Sequence, residues 1–389
     1  YAGFPICCPF FFFYLPLLHL KAGGSVSGSA SLSISTTEKA FKDINGDGYI
    51  DYVRRVNDNT FEVHPSKIAR TNKLKTVTNP LKGTFTLDYK VQKRDYNNSN
   101  AKWAMTSVEV FDGYDLASDG TDTYVKSYSY ENGFYDRRER SFFGYETVKE
   151  TNGNQFTVSK YHNQSYFLNG LLKESYVLPE LNGTSKISGV ENIYEIRKLN
   201  DANSRMTTNV LSNTFDVGGT EGRRSAAVVL VTSKNYLYEY NTSPQITTIA
   251  NFIYDDLGRV VTSQNLGDIA ITGDDVTSTI TYHNNTTLEG KHILNVPATI
   301  LVSAPNMVRK RTTTVDNTTG NILTVNANYD STSFVTTTMQ YDGYGNLIYK
   351  EMPAESSNDA MSFTYTYDTK NYKIIAVQDA FGYTSQSNY

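Results

Sequence analysis

The stretch Asp43-Ile44-Asn45-Gly46-Asp47-Gly48-Tyr49-Ile50-Asp51 has the residue types and spacing of a calcium loop. Calcium is held by oxygen donors arranged around a sharp turn. Asp43, Asn45, Asp47, the Tyr49 carbonyl and Asp51 fall at positions 1, 3, 5, 7 and 9 of such a loop, and Gly48 takes position 6, where the chain must turn. Position 12 is Arg54, so the bidentate Glu of an EF-hand is missing, and a strand pattern follows in place of a helix. Fewer protein ligands imply a weaker site, completed by water. The same residues suit a metal-free acidic turn, whose carboxylates would accept backbone N–H groups. Both readings stand at this level.

Other chemistry is sparse. Asp136-Arg137-Arg138-Glu139-Arg140 could be a docking patch or an ion-pair ladder. Read as strand, it sends Arg138 and Arg140 to one side and Arg137 and Glu139 to the other. The five histidines, at 19, 64, 162, 283 and 292, are scattered and form no short metal-binding spacing. There is no G-x-S-x-G elbow and no P-loop. The reading is therefore of a chain that is not an enzyme. With 36 basic and 40 acidic side chains and no basic stripe, nucleic acid is not an expected partner.

The elements that would carry these residues are strands. Thirty Tyr and 19 Phe stand against one Trp, and Tyr and Thr favour strands while Asn and Gly favour turns. The unit Tyr341-Asp342-Gly343-Tyr344-Gly345-Asn346 is flanked by β-formers, and related units begin at Tyr254 and Tyr367. In each, the Asp carboxylate can accept N–H bonds from a type I turn, while Gly258, Gly345 or Asn371 supplies positive φ. Tyrosines opening such units stand at 254, 282, 341, 367 and 389, a spacing in the range of stacked repeats. One hairpin cannot bury both faces, so the units must add edge to edge into a larger sheet. Asn-Gly or Asp-Gly pairs at 112–113, 119–120, 132–133, 152–153, 169–170 and 182–183 are hairpin signals. Residues 189–206 show the weakest strand pattern, where a loop or short helix fits. The class is all-β, a long antiparallel meander.

Residues 1–23 stand outside this argument. They carry no Lys, Arg, Asp or Glu up to Leu20, contain Pro5, Pro9 and Pro16, and hold both cysteines, the adjacent Cys7 and Cys8. A truncated signal segment, a membrane anchor and a stretch with no native role all remain open, with the anchor disfavoured by the prolines. The absence of cysteine from the body suits an exported bacterial protein. Tyr389 stands where another unit would begin, which suggests a chain cut within a longer protein.

With these residues assembled, the sequence resembles the Rhs/YD-repeat family, and within it the B component of bacterial insecticidal toxin complexes. Residues 43–53, "DINGDGYIDYV", resemble the loop that closes blades of that family's FG-GAP-like β-propeller. Residues 72–90 resemble the segment leading into its shell, and residues 128–148, "YSYENGFYDRRERSFFGYETV", a block rich in Tyr, Gly and Phe. The resemblance implies a leader at 1–23, the end of a propeller blade at 24–64 and a YD-repeat shell segment at 65–389. It also implies that the meander forms part of a curved spiral shell enclosing a toxic C-terminal cargo, with toxin-complex A and C components as partners. The location would be secreted or at the bacterial surface. No autoprotease block or cargo is recognisable in these residues. The rival reading is an exported YD-repeat surface protein for adhesion or carbohydrate contact.

Overall fold

A computed structural model describes residues 38–389, except 69–70, 93, 100, 115–119, 121, 201, 213–224, 331 and 355–359. The leader at 1–23 lies outside the described residues. The described chain is nearly all β, with 24 strands and one five-residue helix. It divides into two compact units, residues up to Ile44 with Ile50–Ser66, and Asn45–Tyr49 with Lys67–Tyr389.

The first unit is a three-stranded antiparallel sheet of Lys39–Lys42, Asp51–Asn57 and Thr60–His64. Its register sets Phe41 opposite Tyr52 and Tyr52 opposite His64. The three rings form a row across the sheet at centroid distances of 5.6 Å. Arg54 lies opposite Glu62 and pairs with it at 2.6 Å. These cross-strand contacts are what stabilise so small a sheet.

The second unit is a single ladder running from Thr76–Thr78 to Thr384–Gln386. Each strand pairs antiparallel with the next in sequence, apart from one excursion. Ser188–Leu199 pairs along its length with Ala226–Leu237, and Met206–Leu211 pairs with the far end of Ser188–Leu199. Among the described residues no pairing joins Thr76–Thr78 to Thr384–Gln386, so the ladder is open. Both edge strands are only three residues long, which limits the unpaired backbone they offer.

Burial in the ladder is shallow. Pro297–Ala304 is half-exposed at all eight positions, where a sandwich strand would alternate between buried and open. Only scattered apolar side chains are fully enclosed, among them Leu168, Ile196 and Leu288. This is the burial of a single layer. Two glycines inside strands are instead roofed by rings from the neighbouring strand. Tyr176 faces Gly189 and Tyr145 faces Gly133. A Cβ on Gly189 would stand 2.4 Å from the Tyr176 ring.

Three local expectations fail. Residues 188–199 form a long strand, because apolar positions at Val190, Ile193 and Ile196 find partners on Ala226–Leu237. Asn132-Gly133 lies within Thr123–Asp136 and makes no turn; Asn132 at φ 54 accompanies a register shift there. Arg137 to Arg140 form the hairpin tip between Thr123–Asp136 and Ser141–Asn152, so no alternation applies. The Asp136 carboxylate takes the N–H groups of Arg138 and Glu139, both at 2.8 Å, and Arg140 sits at φ 53.

Candidate functional site

The five residues of the acidic loop divide between the units, Asp43 and Asp51 in the first, Asn45, Asp47 and Tyr49 in the second. Asp51 is fully buried, and its carboxylate accepts from Ile44 N at 2.9 Å and Ser66 N at 2.7 Å. Asp47 accepts from Tyr49 N at 2.8 Å and from the Asn45 amide at 3.0 Å, while Asn45 Oδ1 accepts from Asp47 N at 3.0 Å. Gly46 and Gly48 sit at φ 77 and 85, conformations only glycine adopts cheaply. The Tyr49 ring lies 6.2 Å from that of Trp103. These bonds are those of a self-capping acidic turn. Among the described residues, no three His, Cys, Asp or Glu side chains are grouped to hold a metal.

The Tyr-Asp units supply the repeated geometry. Tyr254, Tyr282, Tyr341 and Tyr367 each end a strand, and each sits at a register shift against a neighbouring strand. Three of their hydroxyls reach a carbonyl of the preceding strand: Tyr254 to Leu230 at 2.8 Å, Tyr282 to Val260 at 2.8 Å, Tyr367 to Leu347 at 3.1 Å. Tyr341 differs, its hydroxyl meeting only Met339 Sδ at 3.7 Å. Burial pushes the phenol pKa of all four upward, so they remain neutral donors.

After three of these tyrosines comes the expected carboxylate turn. Asp255 accepts from the N–H of Leu257 and Arg259, Asp342 from Tyr344 and Asn346, Asp368 from Tyr372 and Lys373. Gly258, Gly345 and Asn371 stand at φ 78, 88 and 58. Two further turns of this kind escape a search for Tyr-Asp. Asp316 follows Val315 and Asp379 follows Gln378, yet Asp316 takes Thr318 N and Thr319 N, and Asp379 takes Phe381 N and Tyr383 N. Aspartate followed by glycine three or four residues later would have found both.

Arg259 is the residue that sequence reasoning missed most plainly. It is 8% exposed, pairs with Asp255 through Nε and a terminal nitrogen at 2.7 Å each, and reaches Asn284 Oδ1 at 3.0 Å and the Leu294 carbonyl at 2.7 Å. Its guanidinium also lies 4.3 Å from the Tyr282 ring centroid. All this satisfies a buried charge and joins one turn to the next.

Among the described residues the histidines are not brought together as a catalytic group. His64 meets Glu62 at 3.0 Å, and His283 bonds to Thr313. Burial first, then the Lys173 charge, lowers the pKa of His162. Elsewhere Lys186 lies 3.7 Å from the Tyr176 ring and 5.0 Å from that of Tyr238, a cation clasped by two aromatics. Tyr145 is pushed up to about 12, chiefly by burial.

Residues 20–174 match the family described as the insecticide toxin TcdB middle/N-terminal region. Over these residues the chain is similar to the toxin-complex B family. The fold of the chain is similar to that of TcdB2-TccC3 crystallised without its hypervariable C-terminal region, at a TM-score of 0.61 and 11% identity over 90% of the chain and 24% of that structure. A Tc holotoxin pore of Photorhabdus luminescens gives 0.60 and 12%, again over 90% and 24%. TcdB2-TccC3 itself gives 0.57 and 12%, over 90% and 25%. The chain thus spans about a quarter of the length of these structures. No curated protein sequence matches it. No helix among the described residues is long and apolar enough to cross a membrane.

Proposed function

We propose that this chain is a wall segment of a secreted Rhs/YD-repeat shell of the toxin-complex B type, enclosing a toxic C-terminal cargo and doing no chemistry itself. One observation carries the reading. The ladder is a single layer of hairpins whose tyrosines and aspartates are spent on closing turns and tying strands, and its fold is similar to that of a toxin-complex structure over 90% of the chain. Its partners would be the remainder of its own shell, the cargo, and the A and C components; two of the matched structures pair TcdB2 with TccC3. The three-stranded unit is then the end of a propeller blade. Calcium at Asp43, Asn45, Asp47, Asp51 and the Tyr49 carbonyl belongs to the same proposal, and its support is the spacing of oxygen donors along the sequence.

The adhesive reading, in which the repeat tyrosines would stack on sugars, gains nothing from the comparisons, whose matches are to toxin-complex proteins. The experiment is protease protection. The full reading frame containing this chain is expressed with a C-terminal reporter segment, and the reporter should resist digestion until the shell is denatured. Digestion of the reporter at the rate of its free form would overturn the enclosing role.

A further inference from the structure

In an antiparallel ladder successive turns alternate between two rims. From the strand Ile246–Tyr254 onward, one rim carries the connections 255–259, 283–296, 316–321, 342–346 and 368–373. The other begins with 269–275 and 305–306, preceded by 238–245. The two rims differ in how each turn is tied to the next.

The first rim is stitched. Arg205, from the excursion after Ser188–Leu199, pairs with Asp256 at 2.9 Å and Glu289 at 3.2 Å, and Met206 N donates to the Asp256 carbonyl at 2.7 Å. Arg259 crosses from its own turn to Asn284 and Leu294. Lys291 Nζ donates to the Thr318 carbonyl at 2.8 Å, carrying the chain of contacts to the turn at 316–321. No hydrogen bond or ion pair joins 316–321 to 342–346 among the described residues, and the row resumes where the Asn346 amide donates to the Asn371 carbonyl at 3.0 Å. The helix Thr286–Gly290 sits in this row, with Leu288 fully buried.

On the second rim, among the described residues, no hydrogen bond or ion pair joins 238–245 to 269–275, or 269–275 to 305–306. The side chains there are Tyr240, Ile269, Ile271 and Met307, all more than half exposed. The connection 238–245 is tied back to Lys186, with Tyr240 N donating to the Lys186 carbonyl at 2.8 Å and Lys186 N to the Asn241 carbonyl at 3.0 Å, whereas the tips at 269–275 and 305–306 are held by their ladders alone.

We propose that this sheet parts from one rim only, with the stitched turns acting as the hinge and the tips at 269–275 and 305–306 opening first. Local opening begins where few contacts must break, and a row of cross-turn bonds sets the axis about which hairpins can move. The device is a property of the ladder and holds whatever the sheet encloses.

Peptide-resolved hydrogen exchange on the whole chain tests it, using amides that are hydrogen-bonded on both rims. Ile269 N and Ile271 N represent the open rim, Asp255 N and Gly320 N the stitched one. After correction for intrinsic rates, the open-rim amides should exchange about tenfold faster, the factor expected from one charge-assisted hydrogen bond. Arg259→Gln should erase the difference, and Lys291→Met, a change at an exposed side chain that leaves folding intact, should speed exchange at 316–321 alone. Equal protection at both rims, or no response at 316–321 to Lys291→Met, would overturn the proposal.

Discussion

The Tyr282 hydroxyl donates to the Val260 carbonyl at 2.8 Å, so the last residue of one strand is tied to the first residue of the strand before it. Tyr367 and Leu347 stand in the same relation at 3.1 Å. Tyr194 reaches Leu172, the first residue of its neighbour, also at 3.1 Å, although no Tyr-Asp pair marks it. At Tyr282 and Tyr367 the register shift lies against the following strand, while the hydroxyl ties the residue to the preceding one.

Removing single hydroxyls should therefore have unequal effects. Tyr254→Phe, Tyr282→Phe and Tyr367→Phe each leave a carbonyl without its donor and should cost about 1 kcal/mol. Tyr341→Phe should be nearly neutral, since its hydroxyl meets only a sulfur. Urea unfolding of the four variants checks this, and a Tyr341→Phe loss as large as the others would contradict the strap.

The ring over Gly189 makes a second prediction. An added methyl would collide with Tyr176, so Gly189→Ala should destabilise the sheet by about 1–3 kcal/mol. Combining it with Tyr176→Ala should recover part of that loss, because the clash is pairwise. A double-mutant cycle showing strict additivity would refute the contact.

Acid should act through the turns. The carboxyl pKa values of Asp316 and Asp368 lie below the ordinary 3.8, held down chiefly by the N–H of Thr319 and of Tyr372 respectively. At Asp342 partial desolvation pushes upward, but the Asn346 side chain and the backbone N–H groups outweigh it. A folded-state pKa below the unfolded one stabilises above the unfolded value and is lost as pH falls through the folded value. The thermal midpoint should hold steady from about pH 7 to 5 and fall below about pH 4. Asp316→Asn should blunt the fall, and a decline already complete at pH 5 would point to other groups.

The acidic loop separates structural from metal roles. Asp51→Ala strands two backbone N–H groups and should cost about 2 kcal/mol with or without calcium. Calcium bound only by the folded chain must in addition raise the thermal midpoint, and Asp47→Ala should abolish that rise. Identical melts in millimolar calcium and in chelator would leave the loop as a self-capped turn.

Much of this molecule was legible in its sequence because its signals are local. An aspartate that caps a turn, and a glycine or asparagine at positive φ three residues on, act within one hairpin, so Asp255, Asp342 and Asp368 announced themselves. The all-β class followed from Tyr, Thr, Asn and Gly usage for the same reason. What required tertiary structure is long-range in sequence. The strand Ser188–Leu199 is stabilised by partners some 30 to 50 positions away, and its own pattern reads weakly without them. Asn132-Gly133 has the form of a turn, yet the neighbouring strand and the Tyr145 ring hold it inside a ladder. Arg259 looks like any charge after a turn until Asn284 and Leu294 close around it. Hairpins are written residue by residue; which hairpins lie side by side, and which rim ties them together, depends on contacts that no local pattern contains.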